Sequence, residues 1–276
     1  ERMRIHISHE TVYRYGTPAK SAIELLRLTP RNHDGQYVVR WRIDVSQDCR
    51  LEPHEDAFGN LTYTFTVDGP LTELRIGVVG EVETQDTAGI VRGTRERFPP
   101  SLFLRATPLT CADETIAAFA RDAAASGNNV LGRLHALMSR FYESFTFDAD
   151  PTHPATSAVE AFALKRGVCQ DYAHVFVAAA RYLGVPARYI GGYFLRTDGQ
   201  VMQEAGHAWA EAFIPDLGWI AFDPAHGICT TEAHVRVAVG LDYLGAAPIR
   251  GVRTGGTGET LAVTVHVDQA GQQCQS

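Results

Sequence analysis

Alternation of apolar and polar residues dominates the first part of the chain. At residues 37–45 the odd positions are apolar and the even ones mostly polar, and residues 61–67 repeat the pattern. This period of two is typical of strands that bury one face in an antiparallel sheet. Residues 74–82 supply a further predicted strand, and the Asp-Gly-Pro segment at residues 68–70 is a predicted turn. We therefore predict an antiparallel β-sandwich or barrel over residues 1–100.

After residue 100 the apolar residues follow helical spacing. Thr110 and Asp113 predict a capping box for a first helix that runs through Ala125. Residues 130–145 and 157–166 are predicted as the second and third helices, because their apolar positions recur every three or four residues. The first part of this half of the chain is therefore predicted to be helical.

The fourth predicted helix, at residues 169–183, is apolar around almost its whole circumference, which is typical of a buried helix. Strands are predicted after it at residues 187–195, 201–213 and 219–222. Helices followed by adjacent strands indicate an α+β domain in which the helices pack on an antiparallel sheet. The buried helix is the predicted centre of that packing.

The predicted organisation is a β-rich domain at residues 1–100, a second domain at residues 101–250 and a C-terminal segment at residues 251–276. Residues 250–258 contain four glycines and are predicted to be a mobile connection. Residues 261–267 alternate as a strand. We expect this strand to return to the N-terminal domain, because a lone strand cannot bury its apolar face.

Composition narrows the function classes. The chain has 276 residues, of which 45% are hydrophobic, so a packed core is expected. Its net charge is −7, so neither nucleic acid nor a membrane is an expected partner. The N-terminus alternates like a strand and lacks the apolar run of a signal peptide. Five scattered cysteines without a CxxC pair argue for free thiols and a cytoplasmic location: Cys49, Cys111, Cys169, Cys229 and Cys274.

Cys169, His207 and Asp223 are the candidate catalytic residues. A cysteine attacks as its thiolate, and an ordinary thiol has a pKa near 8.5, so its surroundings must favour the anion. The start of a helix supplies a partial positive charge and free N–H groups, and Gly167 is expected to allow a tight turn that aims the thiol outward. A lone cysteine at a helix start is more often a small packing residue, and it is the combination with His207 and Asp223 that favours a nucleophile.

His207 is the predicted partner of the thiol. Alanines fill the opposite face of its strand and are expected to pack against the Cys169 helix. A hairpin centred near Pro215 would make His207 and Asp223 cross-strand neighbours. The carboxylate would then fix the tautomer and orientation of the imidazole.

Other polar residues near the triad have two interpretations. Gln170 and Asp171 either shape the substrate cleft or satisfy backbone groups, and Trp209 either walls the cleft or fills the core. His174 points about 140° away from the thiol on a helix, which favours a buried hydrogen-bonded role. A zinc site that adds His226 and Cys229 to Cys169 and His207 has unconvincing spacing, so no metal and no cofactor are expected.

These residues resemble the transglutaminase-like superfamily, and specifically the bacterial transglutaminase-like cysteine peptidases. The motifs that carry the resemblance lie at residues 167–174 (GVCQDYAH), 183–189 (LGVPARY), 207–211 (HAWAE) and 218–224 (GWIAFDP). Segments outside this core resemble the flanking parts of the same bacterial proteins, at residues 26–31 (LRLTPR), 56–60 (DAFGN), 239–243 (VGLDY) and 248–252 (PIRGV).

The resemblance implies a papain-like core in which Cys169 is the nucleophile, His207 the general base and acid, and Asp223 the orienting carboxylate. It implies acyl transfer from a peptide or protein amide through a thioester, with water as the acceptor in a hydrolase. A transglutaminase that uses an amine acceptor, or a binding module that keeps the fold without activity, are the alternatives. Ala163 stands where papain-like peptidases place an oxyanion-hole glutamine, and no acidic run suggests calcium.

Overall fold

The computed structural model describes residues 2–150, 152–196, 198, 200–203 and 205–270. The strands are β1 (Arg2–Thr29), β2 (Gln36–Val45), β3 (Glu52–Glu55), β4 (Leu61–Gln85), β5 (Ile90–Val91), β6 (Thr146–Phe147), β7 (Arg166–Gly167), β8 (Ala187–Phe194), β9 (Met202–Gln203), β10 (His207–Ile214), β11 (Gly218–Asp223), β12 (Ile228–Cys229), β13 (His234–Gly240), β14 (Ile249–Thr257) and β15 (Thr260–Gln269). The α-helices are α1 (Glu114–Ala124), α2 (Val130–Ser144), α3 (Ala158–Leu164), α4 (Cys169–Tyr182) and α5 (Tyr243–Ala246), and a short 3-10 helix spans Pro100–Leu104.

Two long strands organise the N-terminal sheet. Strand β1 pairs antiparallel with β4 along most of its length, and the sheet order is β2-β4-β1-β15-β9, with β14 on β1 and β3 on β4. Alternate residues of β1 and β4 are buried, as the alternation predicts. Apolar residues from the second half of β1 and from residues 65–78 of β4 meet in one cluster, which includes Leu26, Phe65, Leu74 and Ile76. The predicted antiparallel β-architecture of this part is confirmed.

Two local predictions in the β-rich parts are wrong. Residues 68–70 do not reverse the chain: β4 continues through them, and the register between β1 and β4 shifts nearby, opposite residues 14–21. The segment therefore bends the sheet where a turn is predicted. Most of residues 250–258, where a mobile connection is predicted, lie in β14, which pairs antiparallel with β1. Pairing uses main-chain groups, which a glycine-rich strand still has.

The second sheet carries the candidate catalytic residues. Its order is β12-β11-β10-β8-β13, with β5 paired to β11, and all of its pairings are antiparallel. The strand predicted over residues 201–213 is divided into β9, which joins the first sheet, and β10, which joins the second. The helices pack on one face of this sheet, so the predicted α+β arrangement is confirmed.

Helix α4 lies at the centre of this packing, with residues from Asp171 to Arg181 buried. Phe176 stacks on Phe222 of β11 at a centroid distance of 5.3 Å. The small side chains of Ala210 and Ala212 lie in the same core cluster as α4, which confirms the predicted alanine face of β10. The position of Cys169 is thus fixed by a helix that is enclosed on nearly every side.

Helix α1 starts differently from the prediction. Its N-cap is Asp113, whose carboxylate accepts a hydrogen bond from the Ile116 N–H. Thr110 lies before the helix and accepts a hydrogen bond from the buried guanidinium of Arg181 at 2.7 Å. Threonine and aspartate both cap helices well. Because Thr110 bonds the buried Arg181, Asp113 is the residue that caps α1.

The two sheets meet through an apolar interface. Ile5, Ile7 and Val265 of the first sheet pack with Tyr193 and Val235 of the second. The candidate catalytic core is therefore supported on its second side by the N-terminal sheet. Among the described residues, no helix combines the length and apolar character needed to cross a membrane.

Candidate active site

Cys169 is the first residue of α4 and is half-buried. The Asp171 carboxylate caps the helix by accepting a hydrogen bond from the Val168 N–H at 2.8 Å. A Cβ at Gly167 would lie 2.4 Å from Asp171 Oδ2, so glycine is required for this close approach. The left-handed conformation before the helix is taken by Lys165, with φ of 51°. Gly167 therefore makes room for the cap, which corrects the predicted tight turn.

His207 and Asp223 form a direct pair, with Nε2 and Oδ2 2.7 Å apart. The β10–β11 ladder pairs Ala210 with Phe222, and the same register places Asp223 opposite Trp209. The predicted hairpin register is therefore wrong by two residues. The predicted side-chain contact forms nevertheless, because His207 reaches diagonally across the two strands, a distance that long side chains bridge.

Asp223 is fully buried and accepts hydrogen bonds from three imidazoles through one oxygen. Besides His207, His226 Nδ1 lies 2.8 Å and His234 Nε2 lies 3.0 Å from Oδ2. The other oxygen, Oδ1, accepts from the Ala225 N–H at 3.1 Å. An ionised carboxylate can only accept, so each of the three ring nitrogens donates an N–H.

The electrostatics of the pair follow from this arrangement. Burial acts to lower the pKa of His207, but the charges and hydrogen bonds of Asp223 and Cys169 outweigh it and raise the pKa to about 10. Burial acts to raise the pKa of Asp223, but the charge of His207 and the three imidazole hydrogen bonds hold it well below its usual range. His207 is therefore a cation over the physiological pH range, placed between an anion and the thiol.

His234 has a defined tautomer. Its Nδ1 accepts a hydrogen bond from the Thr231 N–H at 3.1 Å, so the ring proton lies on Nε2, which donates to Asp223. Burial is the largest effect on its pKa, which is lowered, so the ring is neutral. His234 thus orients Asp223 without competing with His207 for a charge.

The other predicted site residues have structural contacts. Gln170 donates from Nε2 to the Pro154 carbonyl at 3.1 Å. Trp209 is 1% exposed and packs over Gly192, where a Cβ would lie 2.8 Å from the indole. His174 Nε2 accepts from the Tyr243 N–H at 3.0 Å, as the helical geometry predicts. These contacts favour the structural interpretation for Gln170, Asp171 and Trp209.

Sequence reasoning missed most of the surroundings of Asp223. The sequence suggests His226 and Cys229 only as weak candidates for a zinc site with Cys169 and His207. In the structure His226 contacts Asp223, while Cys229 lies on β12 and pairs with Phe222 of β11. The Asp223–His226 spacing of three residues after a strand is a usable signal for this contact. His234 offers no such signal, because β13 lies two strands away from β10 in the sheet.

The arrangement can supply a nucleophile and a proton carrier. Because His207 Nε2 donates to Asp223, Nδ1 is the nitrogen that remains for the Cys169 thiol, which is among the causes that raise the pKa of His207. A thiolate beside an imidazolium at a helix N-terminus is an activated nucleophile. The first turn of an α-helix leaves N–H groups without intrahelical partners, so the start of α4 is a candidate source of oxyanion donors.

Comparison with known families agrees with this geometry. A profile of the transglutaminase-like superfamily matches residues 117–224, which include Cys169, His207 and Asp223. A profile of the bacterial transglutaminase-like N-terminal region matches residues 5–83. The two matches correspond to the second sheet with its helices and to the long-stranded first sheet.

The chain is similar to three individual proteins, two by sequence and one by structure. An uncharacterised protein of Mycobacterium leprae is 29% identical over 280 residues, covering 96% of this chain and 98% of its own. The protein-glutamine gamma-glutamyltransferase of Pseudomonas aeruginosa is 31% identical over 135 residues, which are 43% of this chain and 20% of that protein.

A solved structure, described as a candidate cysteine protease from Cytophaga hutchinsonii, superimposes with a TM-score of 0.79 at 19% identity, covering 99% of this chain and 92% of that one. At this identity the likeness establishes the fold alone, and that fold is papain-like. The chain therefore contains a transglutaminase-like core preceded by a bacterial transglutaminase-like N-terminal region.

Proposed function

We propose that the protein is a cysteine hydrolase of peptide or amide bonds, with Cys169 as nucleophile, His207 as general acid and base, and Asp223 as the orienting carboxylate. The observation that carries the proposal is the buried His207 ring, held through Nε2 by Asp223 at 2.7 Å and interacting with the Cys169 thiol. A buried imidazole fixed in this way supports acid–base catalysis better than a purely structural role.

In the proposed reaction the Cys169 thiolate attacks the amide carbon, and the developing oxyanion is stabilised by N–H groups at the start of α4. His207 gives the proton on Nδ1 to the leaving amine as the C–N bond breaks, and a thioester on Cys169 remains. A water molecule then loses a proton to Nδ1 and attacks the thioester, which releases the acid and restores the thiol–imidazole pair.

The test is hydrolysis of a mixed peptide library, followed by mass spectrometry, with the full chain and two cysteine variants. Cys169→Ser is expected to abolish cleavage, and Cys111→Ser, which alters an exposed thiol, is expected to leave it unchanged. Intact-protein mass is expected to reveal an acyl adduct on Cys169 during turnover. Cleavage that persists at the wild-type rate in Cys169→Ser contradicts the proposal.

A second candidate is acyl transfer to an amine, because the Pseudomonas aeruginosa relative is named a protein-glutamine gamma-glutamyltransferase. Both reactions share the thioester and differ only in the acceptor. Adding a fluorescent primary amine during peptide turnover separates them. Free acid as the main product supports the hydrolase, whereas amine incorporation that exceeds hydrolysis at millimolar amine supports the transferase.

A further inference from the structure

His207, Asp223 and His226 present their ligand atoms to one small volume, with all three atoms within 4.8 Å of one another. Two imidazoles and one carboxylate are typical ligands of zinc and similar transition metals, whereas calcium and magnesium prefer oxygen ligands alone. We propose that these three side chains form a binding site for a divalent transition metal, typified by zinc, and that the bound metal switches the thiol chemistry off. The inhibition, but not the binding, rests on the proposed function.

The distances suit a metal after a small rearrangement. The nitrogens of His207 and His226 now lie 2.7 Å and 2.8 Å from Asp223 Oδ2, as hydrogen-bond partners. Ligand atoms about 2.0–2.1 Å from a tetrahedral zinc stand roughly 3.3 Å apart, so each pair must separate by about half an ångström. His226 lies in the turn after β11 and its side chain is 38% exposed, so it has the freedom to make this adjustment.

Asp223 keeps its supporting contacts when the metal binds. His234 donates to Oδ2 with its tautomer fixed by Thr231, and the Ala225 N–H holds Oδ1. Metal sites depend on such outer contacts, which orient the ligating carboxylate. His234 therefore supports the site from behind, while the exposed part of the His226 side chain gives a metal access from solvent.

Metal binding would remove the acid–base function of His207. The metal takes the Nε2 lone pair, and the Nε2 proton leaves to solvent. His226 shifts its ring proton from Nδ1 to the outer Nε2. His207 is then held as a metal ligand whose remaining proton lies on Nδ1, so it can accept no further proton there and the proton relay of hydrolysis stops. The inhibition occurs on the side of the ring away from the thiol.

Binding is tested with the Cys169→Ala chain, which removes the thiolate as a competing ligand. Zinc is titrated by calorimetry, and cobalt(II) is added as a spectroscopic probe of four-coordinate nitrogen–oxygen ligation. We expect one zinc per chain. His226→Asn keeps an N–H donor for Asp223 but removes the imidazole, and is expected to weaken zinc binding at least about tenfold, since even outer-contact losses cost about 10–100-fold.

The matched control is His6→Asn. His6 Nδ1 also lies 3.0 Å from a carboxylate, that of Asp268, and its side chain is 32% exposed, but the pair lies outside the three-residue cluster. We expect His6→Asn to leave the affinity unchanged. Equal zinc affinity in His226→Asn and its parent, or loss of affinity only in His6→Asn, would overturn the proposed site. Both outcomes are independent of any hydrolase activity.

Inhibition is tested in the chain that retains Cys169, by its rate of peptide hydrolysis. Zinc is expected to slow hydrolysis at least about tenfold, EDTA to restore it, and His226→Asn to remain fast at the same zinc concentration. Equal slowing in the His226→Asn variant would mean that zinc blocks the thiol directly. That result would refute the inhibitory role of this site.

Discussion

Replacing Asp223 with asparagine removes the charge beside His207 while keeping the size of the side chain. Asp223 accepts N–H donors at both oxygens, three at Oδ2 and one at Oδ1. An asparagine amide has one acceptor oxygen and one NH₂ donor, so in either orientation its NH₂ group faces an N–H. We expect His207 to become neutral near pH 7, and Cys169 to lose the cation that favours its thiolate.

The size of the effect follows from thiol ionisation. An ordinary thiol with a pKa near 8.5 is about 0.3% thiolate at pH 6 and about three-quarters thiolate at pH 9. The alkylation rate of Cys169 in Asp223→Asn is therefore expected to rise roughly 200-fold between pH 6 and pH 9. In the wild type, where His207 has a pKa of about 10 and stays a cation at both pH values, the rise is expected to be much smaller. A stabilised thiolate is intrinsically less reactive, which lowers the alkylation rate at any single pH. The ratio of the rates at pH 9 and pH 6 within one variant does not depend on this intrinsic reactivity.

The assay is iodoacetamide labelling resolved by peptide mass spectrometry, with the exposed thiol of Cys111 as an internal reference for the reagent. Asp242→Asn is the matched control: Asp242 caps α5 by accepting from the Gly245 N–H, and asparagine caps equally well. Circular dichroism checks that each variant folds. A folded Asp223→Asn whose pH 9 to pH 6 ratio stays near 1 would refute the thiolate–imidazolium reasoning.

Three further predictions concern stability, each measured by urea unfolding. Burial is the main cause that raises the pKa of Glu24 to about 7, so the folded state loses stability as the pH rises from about 4.5 through 7. Glu24→Gln should therefore add about 1–2 kcal/mol to the free energy of unfolding at pH 8 and nothing at pH 5, and equal gains at both pH values would contradict this. Glu211→Gln leaves the fully buried Arg188 with only one carboxylate partner and should cost about 3 kcal/mol, whereas a loss below 1 kcal/mol would mean that the ion pairs are dispensable. Asp171→Ala removes the cap of α4 and should cost about 1 kcal/mol, while Asp171→Asn should cost less; equal losses would point to charge as the cause, not capping.

The parts of the fold that were predictable depend on local pattern. Helix α4 could be recognised because its apolar residues adjoin one another in sequence, and β2 because its alternation is regular. The start of α4 at Cys169 and the contact between His207 and Asp223 were predictable, because a helix start and a short hairpin restrict where side chains lie. The hairpin register was missed by two residues because Ile214 pairs with Gly218, which centres the turn on Asp216 and not on Pro215.

Contacts between distant segments were not predictable from one sequence. Thr17 and Thr257 pair across a separation of 240 residues, and their hydroxyl groups are 2.9 Å apart. His234 contacts Asp223 although β10 and β8 lie between their two strands in the sheet, and no spacing rule encodes that contact. Such contacts depend on the whole packed fold, so the spacing of residues along the chain does not predict them.

The pairing of β1 with β14 and β15 has a consequence for biosynthesis. Strand β1 is synthesised well before its partners on that edge, which follow only after the whole segment that bears the proposed catalytic residues. Until then the nascent chain exposes a row of unsatisfied N–H and C=O groups, which is a template for pairing with other chains. A polypeptide released after residue 248 would already contain Cys169, His207 and Asp223 but would keep that edge open. Premature termination late in translation therefore leaves an aggregation-prone product that has all three proposed catalytic residues.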